Sequence, residues 1–305
     1  MERPSDAVLR ECRAILARGS KSFAAASLLL PARLRDPVAA FYAFCRVSDD
    51  LVDESAESAR ALDELERRLD RALEGRPEDH PADRGLAWVA RAFAIPRAPI
   101  AALLEGYRWD VERRRYDELE GVRAYAARVA GSVGVVMTLL MGPRDPAVLH
   151  RAADLGIAMQ LTNIARDVGE DARRGRIYLP LAWLRAEGVD PEAFLRAPGP
   201  CEGVSVAVCR LLDAAEALYR RADLGVPALP ADCRPAVAAA RLIYADIGRA
   251  IRARGYDSVS GRAVTGASRK AWLLAVAQTA RFARPAGYAP PPVPEARFLI
   301  DAIRR

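Results

Sequence analysis

The 305 residues are 51% hydrophobic and 28% charged, with a formal net charge of +6, enough for one large packed domain and unlike the composition of a disordered chain. Two histidines and five cysteines (Cys12, Cys45, Cys201, Cys209, Cys233), none in CxxC spacing, give no sign of a zinc site or disulfide framework and fit a reducing compartment. The basic excess is almost all arginine spread along helical faces, without a basic block or aromatic interleaving, so nucleic acid is not expected as a partner.

Ala, Leu, Arg and Glu dominate, all good helix formers, and period-two alternation is scarce. The expected fold class is all-α. The N-terminus, MERPSDAVLRECRA, lacks the apolar core of a secretory signal. No apolar run approaches the ~20 residues that span a bilayer.

In chain order, residues 5–18 are expected to form a first helix ending at Gly19. The polar segment Ser20-Lys21-Ser22-Phe23 follows, then an apolar stretch to Leu30, with Pro31 and Pro37 bracketing a turn. From Pro37, the residues Val38, Phe41, Tyr42, Phe44 and Cys45 form a buried helix face that runs into Asp49, Asp50 and Asp53. Residues 57–73 read as an amphipathic helix with Leu62, Leu65, Leu69 and Leu73 on its apolar face, and 75–83 as a loop. A helix from Trp88 is interrupted by Pro96 and Pro99, and the next segment, 99–119, carries GYRWDVE at 106–112.

After Gly121 a long apolar helix is expected to reach Met141. It contains AGSVG at 130–134, and a mid-helix glycine costs about 1 kcal/mol against alanine. Either a neighbouring helix or a ligand must therefore come close to that backbone. Residues 147–172 read as a second acid-bearing helix, 198–206 as a loop, and 207–223 and 233–254 as further helices, the latter bearing Tyr244. Residues 267–283 are expected to form the last core helix. Five prolines in 285–294 suggest an extended linker, and RFLIDAIRR at 297–305 a short amphipathic tail. The expected organisation is one all-α domain over 1–284, followed by linker and tail over 285–305.

Asp49 and Asp53, and again Asp167 and Asp171, stand four residues apart, one turn on one helix face. Asp50 lies about 100° further round and either joins through water or points elsewhere. Each pair adjoins an apolar face and has an arginine close before it, Arg46 or Arg166. A single such pair on an arginine-rich helix is ordinarily a surface salt bridge. Two of them make a divalent-cation site for a diphosphate worth considering, because Mg²⁺ takes one or two carboxylates and completes its shell with water and substrate phosphates. Arginine and lysine can clamp the same oxygens. Gln160 and Asn163 share the face of Asp167, and Tyr42 lies seven residues before Asp49 on the same helix.

Four blocks occur in order: SKSF at 20–23, YAFCRVSDDLVDE at 42–54, AGSVG at 130–134 and QLTNIARDVGEDARRGRIYLP at 160–180. Together they resemble the squalene/phytoene synthase family over roughly residues 8–284, with details most similar to its bacterial phytoene-forming members. The resemblance implies a single-domain, all-α isoprenoid-synthase fold with a central apolar cavity. It also implies head-to-head condensation of two geranylgeranyl diphosphates to phytoene through prephytoene diphosphate, a step of carotenoid biosynthesis. The alternative is farnesyl diphosphate as substrate, giving squalene, dehydrosqualene or presqualene diphosphate. A non-catalytic assembly or binding relative is a third reading, and it should have lost the aspartates that are intact here.

By the same resemblance, Asp49, Asp53, Asp167 and Asp171 hold Mg²⁺ or Mn²⁺, with Asn163 as a further ligand and Tyr42 at the catalytic centre. Ser20, Lys21, Ser22, Arg46, Gln160, Asn163, Arg166 and Tyr244 match diphosphate-holding positions, and Arg262 falls where the family often has a basic phosphate contact. Ser20 also reads as a helix N-cap and Tyr244 as a core residue. The chemistry requires no ATP, and NADPH only for squalene. Expected partners are prenyl diphosphates, a membrane surface and downstream carotenoid enzymes, with a cytoplasmic setting peripheral to the membrane. The tail suits an interface with Phe298, Leu299, Ile300 and Ile303 inward, or docking back onto the protein.

Overall fold

The computed structural model describes residues 3–54, 57–284 and 290–303, with Glu54 described by its backbone alone. Every regular element among the described residues is helical. The first half contains α1 (Asp6–Gly19), α2 (Lys21–Ser27), α3 (Ala32–Glu54), α4 (Ser58–Leu73), α5 (Pro81–Ala92), α6 (Arg97–Val111), α7 (Leu119–Ala126) and α8 (Ser132–Met141). The second contains α9 (Pro146–Arg173), α10 (Leu181–Ala186), α11 (Pro191–Arg196), α12 (Glu202–Asp223), α13 (Arg234–Arg252), α14 (Ala267–Ala277) and α15 (Arg297–Asp301).

Helix α9 is the axle. Asp145 caps it, its Oδ1 accepting from the Ala147 N–H at 2.8 Å, and Pro146 supplies a first residue that needs no donor. Its 28 residues rise ~42 Å. Leu149, Ala153, Ile157, Leu161, Ile164, Ala165 and Val168 are buried as it packs between α8, α12 and α13.

Helices α7 and α8 join through one π-helical turn, Ala127–Gly131, into a rod over Leu119–Met141. These 23 residues are long and apolar enough to cross a membrane by length and composition, which corrects the expectation that no run approaches that length. The rod is mostly buried and packs on α9 and α6, the situation of a core helix. The glycines are explained by close backbone approach. A Cβ at Gly134 would collide with the Ala152 carbonyl oxygen, and one at Gly156 with the Ala130 carbonyl.

Other boundaries also move. Helix α3 begins at Ala32, before the expected turn ends, and carries Pro37 as its sixth residue, where the helix forgoes one backbone bond that a proline cannot donate. Helix α12 starts at Glu202, inside the expected 198–206 loop. The part of the expected linker at 285–289 lies outside the described residues. The tail is docked: Leu299 and Ile300 are buried, and the Arg128 guanidinium sits 4.7 Å over the Phe298 ring. Of the settings expected for the tail, docking back onto the protein is the one found, with Phe298 still 36% exposed.

Candidate active site

Helices α2, α3, α8, α9 and α13 enclose a cavity of about 290 Å³. Its walls are apolar, among them Val133, Met137, Leu155, Met159 and Ala240. Ser20, Tyr42, Gln160, Asn163 and Tyr244 line one end, and Met141, Val148, Arg151, Gly225 and Leu229 the other. Cys45 and Asn163 also face the cavity. Asp49 and Asp167 lie one turn beyond them on the same helix faces, so both acid pairs rise from the polar end.

The tyrosines and Ser20 are organised by local packing. Ser20 Oγ accepts from the Phe23 N–H at 3.2 Å, capping α2, and the nearby hydroxyl offsets part of the effect of burial on Tyr244. The N-cap reading of Ser20 is thus realised at the cavity mouth. Tyr42 stacks on Phe23 with ring centroids 5.3 Å apart, and its hydroxyl lies over Gly19, where a Cβ would stand 2.6 Å away. Burial raises the phenol pKa of both Tyr42 and Tyr244, so both act as neutral hydroxyls. Lys21 and Ser22 sit in the first turn of α2 and do not line the cavity.

Asp49, Asp50, Asp53 and Asp167 are each engaged by arginine. Arg46 reaches Asp49 Oδ2 at 3.2 Å and holds both oxygens of Asp50, one of them from Nε at 3.0 Å; Asp50 therefore points to its own helix's arginine. Arg166 grips Asp167 bidentately at 2.7 and 2.6 Å, and Arg262 approaches the same carboxylate at 2.8 Å. Arg262 also pairs with Glu170 at 3.3 Å. Arg176 Nη2 lies 2.9 Å from Asp53 Oδ1 and ties the segment after α9 to the end of α3. Burial, then Asp167, pushes the Asp171 carboxyl up to about 7. Burial, then Asp53, raises Asp49 to about 6.

A second layer lies beside Arg176. Asp110 accepts from Tyr178 at 2.6 Å and Tyr125 at 2.8 Å, and burial raises its carboxyl to about 6. Sequence reading singled out the 106–112 segment without giving it a role, because its partners lie 15 and 68 residues away. Arg176 was given no role of its own within the 160–180 block; its position after the IARDVGEDARR run was the available signal.

The donor set fits a divalent cation. All candidate ligands are hard oxygens, and the buried Asn163 Oδ1 has no hydrogen-bond partner. Among the described residues no three His, Cys, Asp or Glu groups converge on one point, so the protein supplies ligands in pairs and not as a cage. That is the arrangement a Mg²⁺–diphosphate complex requires, since phosphate oxygens and waters complete the shell.

An all-α body around an apolar cavity, with two helix-borne acid pairs and an arginine cluster at one end, defines an isoprenoid-synthase fold. The chain belongs to the squalene/phytoene synthase family, whose sequence profile matches residues 16–270. It is 48% identical to the phytoene synthase of Rhodobacter capsulatus over 308 aligned positions, covering 98% of this chain and 90% of that protein. It is likewise 48% identical to the phytoene synthase of Cereibacter sphaeroides, covering 99% and 89%. The crystal structure of a dehydrosqualene synthase in complex with ligand superposes with a TM-score of 0.82 at 34% identity, covering 90% of this chain and 96% of that one.

Proposed function

We propose that the protein condenses two molecules of geranylgeranyl diphosphate head to head into phytoene, by way of prephytoene diphosphate. The observation that carries this reading is the polarity of the cavity: one apolar enclosure for hydrocarbon, with the two acid pairs, the arginines on them and the tyrosine hydroxyls gathered at a single end. The names of the relatives at 48% identity support phytoene over products of farnesyl diphosphate.

Asp49 and Asp53 on α3, and Asp167, Asp171 and Asn163 on α9, would hold the cation, for which we propose Mg²⁺ with Mn²⁺ as a substitute. Bound there, the metal would neutralise charge developing on the departing diphosphate. Arg46, Arg166, Arg176 and Arg262 now rest on the carboxylates and are placed to take diphosphate oxygens when those carboxylates turn to metal. Ser20, Tyr42 and Tyr244 donate hydrogen bonds at the mouth. The apolar wall keeps water from the allylic cation left by the first substrate, so the second substrate's double bond attacks it. The resulting cyclopropylcarbinyl diphosphate ionises in turn, rearranges and loses a proton to give the conjugated triene. With the tyrosines neutral, released diphosphate is the acceptor we assign to that proton. The proposed setting is cytoplasmic, with the hydrocarbon passing to a membrane and to later carotenoid enzymes.

Incubating the protein with labelled geranylgeranyl or farnesyl diphosphate, with and without NADPH, and extracting the product tests the assignment. Phytoene from the C20 substrate without NADPH is expected. Squalene or dehydrosqualene from the C15 substrate, with the C20 substrate unused, would overturn it.

A further inference from the structure

One charged side chain lines the apolar end of the cavity. Arg151 lies on α9 far from the acid pairs and is buried, its Nη1 3.0 Å from Asp154 Oδ2. Asp154 is fully enclosed and also receives Arg221 Nε from α12 at 3.2 Å. Arg221 in turn donates to the Pro291 carbonyl in the chain leading to α15. On its other side the Arg151 stem is backed by Gly225, where any Cβ would overlap it. The guanidinium is thus locked by α9, α12 and the C-terminal segment.

Resting on the reading of the cavity as a prenyl-diphosphate site, we propose that Arg151 is a specificity-determining residue: it forms the floor that sets the longest isoprenoid chain admitted. Asn163 at the mouth and Arg151 at the floor are twelve residues apart on α9, a rise of ~18 Å. A fully extended carbon chain spans roughly 1.1–1.2 Å per bond, by the reach of an extended backbone with three bonds per residue. The sixteen-carbon main chain of geranylgeranyl then measures roughly 17–18 Å, the twelve-carbon chain of farnesyl roughly 12–13 Å, and the twenty-carbon chain of geranylfarnesyl roughly 21–23 Å. The first ends level with Arg151, the second stops short of it, and the third must pass it toward Val148, one turn further along α9.

The chemistry of the floor explains why it holds. The walls contain Met137, Met141 and Met159, flexible side chains that repack around a ligand. Arg151 cannot do so, because displacing it would break a buried ion pair and leave Asp154 short of a partner. A methionine or leucine at the same place would yield to a longer chain.

The test compares turnover of geranylfarnesyl and geranylgeranyl diphosphate by the intact protein and by the variants Arg151→Met, Arg151→Ala and Arg151→Lys. The methionine variant keeps the volume without charge, and cooperative melting shows which variants fold. The C25-to-C20 turnover ratio should rise about ten- to hundredfold in the methionine and alanine variants and stay near the starting value with lysine. Gly225→Ala, which presses the Arg151 stem inward, should move preference toward farnesyl diphosphate and provides a readout if the other variants do not fold. An unchanged ratio in a folded methionine or alanine variant, or an unchanged C15-to-C20 preference in a folded Gly225→Ala variant, overturns the floor while leaving the phytoene reading intact. An unmodified protein that prefers farnesyl diphosphate overturns that reading itself.

Discussion

Arg176 Nη2 stands 2.9 Å from Asp53 Oδ1 and bridges the ends of the two acid-bearing segments, 123 residues apart in the chain. Both side chains are partly exposed, 24% for the arginine and 35% for the aspartate, and an ion pair of that kind is worth only about 0–1 kcal/mol. It is therefore cheap to exchange: Asp53 can leave for a divalent cation and Arg176 for a diphosphate oxygen.

Arg176→Met should shift the melting temperature by no more than a few degrees. It should lower kcat/KM for diphosphate release by about a hundredfold, the worth of a charge-assisted hydrogen bond made to developing charge. Wild-type kcat/KM in this variant would reduce the bridge to a surface contact.

Asp171 carries the clearest pH dependence. Its carboxyl is held up to about 7, first by burial and then by Asp167, against an ordinary value of 3.8. Protons and divalent cations compete for it, so kcat/KM should fall as pH drops below about 7, and added Mg²⁺ should move that fall to lower pH. The stability effect has the opposite sense. The folded state binds the proton more tightly than the unfolded chain, so this contribution is complete below about pH 4 and is lost as pH rises through about 7. In EDTA, Asp171→Asn should gain stability over wild type at pH 8, by at most about 4 kcal/mol for a shift of about three units, and little at pH 5. The same variant should release no diphosphate. Activity of Asp171→Asn, or an EDTA stability difference that does not vary with pH, would remove Asp171 from the metal site.

What could be read before the fold was known divides along physical lines. The acid-bearing part of α9 was legible because helix-forming composition and the four-residue acid spacing are both local. So were the two acid pairs, and through family resemblance the residues around them. The arginine partners of Asp49, Asp53 and Asp167 were not, because a helix-borne arginine can turn toward several neighbours and only the packed structure selects one. Asp110 is the sharper case: nothing in the 106–112 segment indicates that tyrosines from two other places will close over it. Pro37 misled for the reverse reason, since a proline near a helix start reads as a boundary although α3 absorbs it.

Gly156 shows the same limit at the backbone. Gly131 and Gly134 raised the choice between a close helix and a close ligand, and the helix partner is α9 at Gly156. A Cβ there would meet Ala130 O, Ala130 C and Gly131 Cα, all backbone atoms that no rotamer change can move. Overpacking costs about 1–3 kcal/mol and sometimes more. Gly156→Ala should therefore lose about 3 kcal/mol or more, seen as a lower urea midpoint with an unchanged slope. The double variant with Gly134→Ala should lose less than the sum of the single losses, because one separation of α8 from α9 relieves both clashes. Full additivity would mean that the two glycines are needed for unrelated reasons.

The tail takes one of the two settings its amphipathic pattern allowed. Its apolar residues would suit a lipid interface or a groove on the protein equally well, and only the packing decides. Leu299 and Ile300 are each 1% exposed, and Leu299 Cδ1 comes within 3.6 Å of the position a Cβ would take at Gly131. The tail thus braces the π-helical turn whose Val129 and Ala130 line the cavity. A large-to-small change at a buried leucine costs about 2–5 kcal/mol, so Leu299→Ala should lower the unfolding midpoint measurably. It should also loosen the adjoining cavity wall, raising KM for the C20 substrate before it affects kcat. Co-sedimentation with anionic liposomes should be unchanged in the same variant, because the leucine faces protein. If Leu299→Ala melts like wild type and binds liposomes less, the tail works undocked, as a membrane contact after all.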